Sequence, residues 1–176
     1  MLNNFTHQIL KRDDKAFPAR KSQIIEFMRQ NPVGVLSSIT PDGEPHGSVI
    51  YFAIDRDQNI AFITKTKTRK YQNLQQHPKV TLTCFEASTQ TTVTVVGKVE
   101  EVKESFDINA IAGAIVSASL KTTDDGVPPI TKLKAGDFTA FVIRPEQLHM
   151  VAYNHAESKK GYDELFETME SFELHP

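Results

Sequence analysis

The stretch Thr64-Lys65-Thr66-Lys67-Thr68-Arg69-Lys70 places four cations and three hydroxyls in seven residues. It follows an apolar strand-like segment, Ile60 to Ile63, and precedes a helix-like one. A helix N-terminus carries about half a positive charge, so each extra cation there costs roughly 0.3–1 kcal/mol. A bound anion relieves that conflict. Free backbone N–H groups, Thr68 as N-cap and the heads of Arg69 and Lys70 could converge on one phosphate. A Lys/Thr run elsewhere would be a solvated turn; its position between strand and helix favours the phosphate reading here. Nucleic acid as the rival anion would need a longer basic stripe interleaved with aromatic residues, which is absent.

The other chemistry-bearing residues form no comparable group. His46 opens a strand and reads as an exposed turn histidine, although it could polarise a substrate. His149 and His155 have no recognised metal spacing, and no metal is expected. Cys84 sits in an alternating strand, where thiols are buried and inert. Asp55-Arg56-Asp57-Gln58-Asn59 resembles the start of a calcium loop, but Ile60 stands at the glycine position and Thr66 at the final acid. Hydrolase, Walker, zincin and dinucleotide-binding motifs are missing.

The scaffold holding the cluster is legible from periodicity. The helix signals are 20–30, with Ile24, Phe27 and Met28 on one face and a stop at Asn31-Pro32, then 67–76 and 106–120. Strand signals cover 33–40, 46–55, 60–64, 79–86 and 91–102. Residues 138–143 and 147–153 read as one bent strand or two. Residues 1–19 read as an arm and 154–176 as a tail. Within that tail, Tyr162, Leu165, Phe166 and Met169 suggest a helix, possible docking material for a second copy. The loop 121–136 is a candidate lid. Hairpin-like connections dominate, which predicts a mostly β, antiparallel barrel of six to seven strands with flanking helices.

Composition sets the class. The chain has 176 residues, 39% apolar and 24% charged, with a net charge of -2. One domain spanning 1–176 is expected, able to bury roughly 70% of its unfolded surface. The near-neutral charge argues against duplex nucleic acid. Apolar runs stop at six residues, Val49 to Ile54, so no membrane helix is expected. The N-terminus shows no secretory signal, and a lone cysteine fits a reduced, cytoplasmic setting.

The sequence resembles the FMN-binding split-barrel family that includes the pyridoxamine 5′-phosphate oxidases. The resemblance rests on Phe62-Ile63-Thr64, Thr68-Arg69-Lys70, Asn73 and His77-Pro78. Pro41-Asp42-Gly43-Glu44-Pro45-His46 and the strand Thr92 to Val99 support it. It covers roughly residues 20–150. It implies that Arg69 and Lys70 hold the FMN phosphate, with Ile63, Thr64 and Thr68 beside it. Ser48, Val49, Ile50 and Tyr51 would run along the isoalloxazine, and Thr92 would stand where the oxidases place a glutamine. A homodimer with FMN at its interface is implied, as is a small-molecule substrate with a nicotinamide electron donor.

The resemblance fails where those oxidases grip the substrate phosphate. Residues 103–120 contain no arginine, tyrosine or proline, and the chain has no tryptophan. Weak or absent pyridoxamine phosphate oxidase activity is therefore expected. The implied function is an FMN-dependent oxidoreductase of another small molecule. The alternatives are a non-catalytic flavin- or haem-binding module in a stress response, and a deazaflavin reductase. The excess of 14 lysines over 6 arginines argues against the deazaflavin.

Overall fold

The computed structural model describes residues 5–120, 137–153 and 169–175. In chain order the elements are β1 (Phe5–Lys11), α1 (Phe17–Gln30), β2 (Val33–Ile39), β3 (Pro45–Ile54), β4 (Ile60–Lys65) and α2 (Arg69–Gln76). They continue with β5 (Lys79–Glu86), β6 (Thr91–Val102), α3 (Ser105–Ser119), β7 (Phe138–Tyr153) and β8 (Met169–His175).

Six strands, in the order β7-β4-β3-β2-β5-β6, close into an antiparallel barrel because β6 also pairs with β7. Alternation drives this. Along β6, Val93, Val95 and Val99 point inward and are buried, while Thr92, Thr94 and Val96 face outward. Phe52, Phe62, Phe141, Leu36, Leu82 and Ile143 complete the interior. Phe62 stacks on Phe141 with ring centroids 5.7 Å apart. Each such buried side chain contributes about 1.5–3 kcal/mol.

β7 is the strand on which the barrel closes. It pairs with β6 along one edge and divides the other between β4 (Phe138 to Ile143) and β8 (Leu148 to Tyr153). It is one strand rather than two because of a bulge. Gly97 faces Pro145 and Val96 faces Gln147, so Glu146 has no cross-strand partner. Proline is tolerated at such a bulge. A Cβ on Gly97 would lie 2.3 Å from the Arg144 carbonyl oxygen, so only glycine fits there.

The two ends of the chain depart from expectation. The arm contains a strand, and α1 starts at Phe17 rather than residue 20. The end of the tail is a strand, with Phe172 and Leu174 buried against Met150 and Leu148 of β7. The helix expected over 162–172 is therefore overturned from Met169 onward; 162–168 lie outside the described residues, as do the 121–136 loop and His155. β1 pairs in parallel with β8. Buried Ser171 is shared by two imidazoles: His7 Nδ1 lies 3.1 Å and His149 Nε2 lies 2.9 Å from its Oγ. With these two strands the sheet has eight.

Candidate functional site: the β4–α2 turn and the split beside it

β4 delivers the cationic turn. Thr64 is its last inward-facing residue and is buried. Thr68 is the N-cap of α2, with extended backbone (φ −100°, ψ 156°) and its Oγ1 accepting from the Tyr71 N–H at 3.3 Å. The Thr68 hydroxyl donates to the Lys65 carbonyl at 2.8 Å. Having only one proton, it must accept from Thr64, whose Oγ1 lies 3.1 Å away. The turn is thus wired internally, and Thr66 N–H donates to the Asp137 carbonyl at 3.2 Å. The N–H groups of Arg69 and Lys70, at the first positions of the helix, have no carbonyl within α2 to bond.

The charges are arranged unevenly. Arg69 is exposed, whereas Lys70 is half-buried, and burial lowers its pKa from the usual 10.5. No acidic residue lies in the first turn of α2. An anion here would meet two N–H groups, a guanidinium and an ammonium that has lost part of its hydration.

α2 is held firmly enough to position these groups. Leu74 is buried in the barrel core and Tyr71 meets Phe141 edge-on, with centroids 6.1 Å apart. Asn73, fully buried, donates from Nδ2 to Ser38 Oγ at 3.1 Å. Sequence reasoning used Asn73 only as part of a family pattern and did not foresee the Ser38 clamp. The signal was a lone amide on the apolar side of a short helix, next to Leu74.

Beside the turn, the barrel opens. β3 and β4 pair through Ile54–Ile60, Ala53–Ala61 and Phe52–Phe62, and the ladder stops there. Beyond it, Ser48 to Tyr51 stay paired with β2, and Ile63 to Lys65 with β7. The edges facing each other across the split therefore carry unpaired backbone groups, alternately donors and acceptors along each strand. Of the β3 residues, Ile50 is buried, Val49 is 65% exposed, and Ser48 and Tyr51 are half-buried. Ser48 Oγ and the nearby His46 Nδ1 are buried without a hydrogen-bond partner among the described residues. His46 is thus a half-buried residue rather than the exposed turn histidine expected.

The structure brings together Ser48 to Tyr51, Ile63, Thr64, Thr68, Arg69 and Lys70 along the two sides of this split. It does not bring Thr92 there. Thr92 pairs with Val151 at the far end of β7, whereas Thr64 pairs with Thr139 near its start. Along β7 that is roughly 40 Å of strand path, but across β5 and β2 Thr92 falls in the row of Phe85, Val33 and Tyr51, three strand spacings or roughly 15 Å from the edge of the split. Thr92 instead faces outward next to Phe85, its β5 partner, which is 60% exposed. Val35 and Val49, paired across β2 and β3, and Ile39 are also exposed on the outside of the barrel.

Cys84 is buried in β5, and burial raises its thiol to about 12, so it is no nucleophile at neutral pH. The Asp55–Asn59 segment is a hairpin turn closed by the Asp55 side chain: Asn59 N–H donates to Asp55 Oδ1 at 2.8 Å. No described helix is long and apolar enough to cross a membrane.

Known proteins place this geometry. A pyridoxine/pyridoxamine 5′-phosphate oxidase from Nostoc sp. is 31% identical over 70 residues, covering 40% of this chain and 33% of that enzyme. The match thus spans about a third of that relative. In three dimensions the chain is similar to a conserved hypothetical protein from Mycobacterium tuberculosis (TM-score 0.64, 22% identity, 81% of this chain and 89% of that one). It is also similar to a pyridoxamine 5′-phosphate oxidase-related, FMN-binding protein from Nostoc punctiforme (TM-score 0.53, 14% identity, 92% and 97%). The profile of the pyridoxamine 5′-phosphate oxidase family matches residues 21–152, and the chain belongs to that family.

Proposed function

We propose that the chain is an FMN-binding flavoprotein that acts as an oxidoreductase on a small molecule in the cytoplasm, drawing electrons from a nicotinamide donor. The observation that carries the reading is the β4–α2 turn. Two N–H groups, Arg69 and a half-buried Lys70 with a lowered pKa meet there, with no acid in the first helical turn. Water serves such a group of donors less well than a phosphate dianion does. The FMN phosphate would sit on these groups, and Thr64 and Thr68 would hold the turn in shape. The open edges of Ser48 to Tyr51 and Ile63 would offer backbone donors and acceptors to the polar side of the ring. FMN supplies hydride transfer when bound; the protein supplies binding, orientation and exclusion of water.

The outer face supports a homodimer. Val35, Val49, Ile39 and Phe85 are large apolar residues left exposed on one side of the barrel. Thr92 lies on that same face, three strands from Tyr51 rather than on the split itself. It would serve the flavin of a second copy.

Purified protein tests the reading directly. A visible spectrum with flavin bands, and release of a cofactor with the mass of FMN, are expected, with a dimer by sedimentation. Repeated reduction by a nicotinamide donor and reoxidation would establish turnover. Bound flavin that does not cycle would make the chain a binding module. A colourless protein that takes up no added FMN would overturn the proposal.

A further inference from the structure

At the opposite end of β4 from the Thr64–Lys70 turn lies a second gathering of positive charge. Arg12 from the β1–α1 connection, Lys21 from α1 and Arg144 from β7 line one cavity of about 190 Å³. Asp57 is the one carboxylate among its described lining residues. Among the described residues, neither Arg12 nor Lys21 takes part in an ion pair. Asp57 and the Glu100 partner of Arg144 offset part of this charge, and Arg12 and Lys21 remain to attract an anion.

The walls are fixed. Asn59 holds Asp55 through both its backbone N–H (2.8 Å) and its side-chain amide (3.0 Å). Gln58, between them, sits at φ +66°, a left-handed conformation uncommon for a residue with a side chain. Gln58 and Asn59 both line the cavity. Lys21 rides on a helix anchored by buried Ile24 and Ile25. Arg144 gives its Nε to Glu100 at 3.2 Å, which orients the guanidinium and leaves its two terminal amino groups. Pro145 and Leu148 add an apolar wall.

We propose that this cavity is a second anion site that takes the phosphate of a small phosphorylated metabolite. With Glu100 paired to Arg144 and Asp57 in the lining, three cations face two carboxylates, and the remaining positive charge attracts a phosphate monoester. Two guanidinium groups supply the forked donors that phosphate oxygens accept, and Lys21 adds a point charge. The apolar wall suits the organic part of the ligand. β4 spans six residues, so this site lies roughly 20 Å from the Arg69–Lys70 turn and is distinct from it. It stands without the flavin reading, because none of its residues belongs to that turn.

The test is titration of the isotope-labelled full chain with inorganic phosphate and with phenyl phosphate, followed by amide chemical shifts at constant ionic strength. Saturable shifts are expected at Arg12, Lys21, Gln58, Asn59 and Arg144, with phenyl phosphate binding more tightly than phosphate. The double variant Arg12→Ala/Lys21→Ala should weaken binding at this set by about tenfold or more. Shifts around Thr68 to Lys70 should survive it. Arg144→Gln gives a second variant, expected to weaken binding likewise. The proposal is overturned if shifts appear only around Thr68 to Lys70. It is equally overturned if chloride at matched ionic strength gives the same shifts, or if neither variant changes the affinity.

Discussion

Two helices carry an Arg-Lys pair near their start and no acidic residue in the first turn: α2 opens on Arg69-Lys70, and α1 has Arg20-Lys21 as its fourth and fifth residues. Their surroundings differ. At α1 the N-cap is Ala16, which offers no side-chain acceptor. The Arg20 guanidinium carbon lies 4.7 Å over the Phe172 ring, so that cation fastens β8 to the helix. At α2 the cap is a threonine wired to a second, buried threonine, Lys70 is half-buried, and an open split in the barrel lies alongside. A cation near a helix start is therefore not in itself a sign of a ligand. The signal is a cation that the fold has partly dehydrated and left beside free N–H groups.

Changes at the two places should separate these roles. The largest effect should come from the barrel that carries both helices. Gly97→Ala forces a Cβ to 2.3 Å from the Arg144 carbonyl oxygen. It should cost about 3–5 kcal/mol in denaturant unfolding, as severe core strain does. A change under 1 kcal/mol would show that the β6–β7 closure is more pliable than described.

Thr68→Ala removes the α2 cap and leaves buried Thr64 without its hydroxyl partner. A loss of about 1–2 kcal/mol is expected, with weaker FMN binding. Arg20→Ala should cost about 0.5–1 kcal/mol and leave FMN affinity unchanged. If Arg20→Ala weakens FMN binding as much as Thr68→Ala does, the contrast between the helices is wrong.

Lys70→Met gives the smallest change in stability, but its sign is informative. Burial lowers the Lys70 pKa, so the folded chain holds that proton less tightly than the unfolded chain. Below the folded pKa the charged group is a cost to stability. Wild type recovers that cost as pH rises from the folded pKa toward 10.5. The methionine variant carries no such cost, so the ligand-free variant should match or exceed wild type at neutral pH. The gap between the two should narrow in alkaline solution. A variant clearly less stable than wild type at pH 7 would mean that Lys70 has a structural partner.

Much of the barrel could be read from the sequence because its signal is local. Thr91 to Val102 alternates, and the structure makes it a strand over those same residues. The α2 turn was legible for a related reason: strand end, hydroxyl cap and cations are all contiguous. The closing features were hidden because their partners are distant. His7 and Ser171, which help tie β1 to β8, are 164 residues apart. The spacing of Tyr162, Leu165, Phe166 and Met169 suggests a helix running into the segment from Met169 to His175, which is a strand. Ser171 to His175 also alternates, but over too few residues to outweigh that spacing. The bulge at Glu146 lets β7 bend without ending, and only the paired glycine on β6 shows that it exists. Thr92 rested on family pattern alone, and the barrel register places it on β6, three strands from Tyr51.

Fluorescence titration of FMN into cofactor-stripped wild type and Arg69→Ala/Lys70→Ala tests the central claim most directly. The expected result is binding weakened about a hundredfold or more, with circular dichroism and unfolding midpoint close to wild type. Equal affinity in the two proteins would contradict the assignment of the phosphate to this turn.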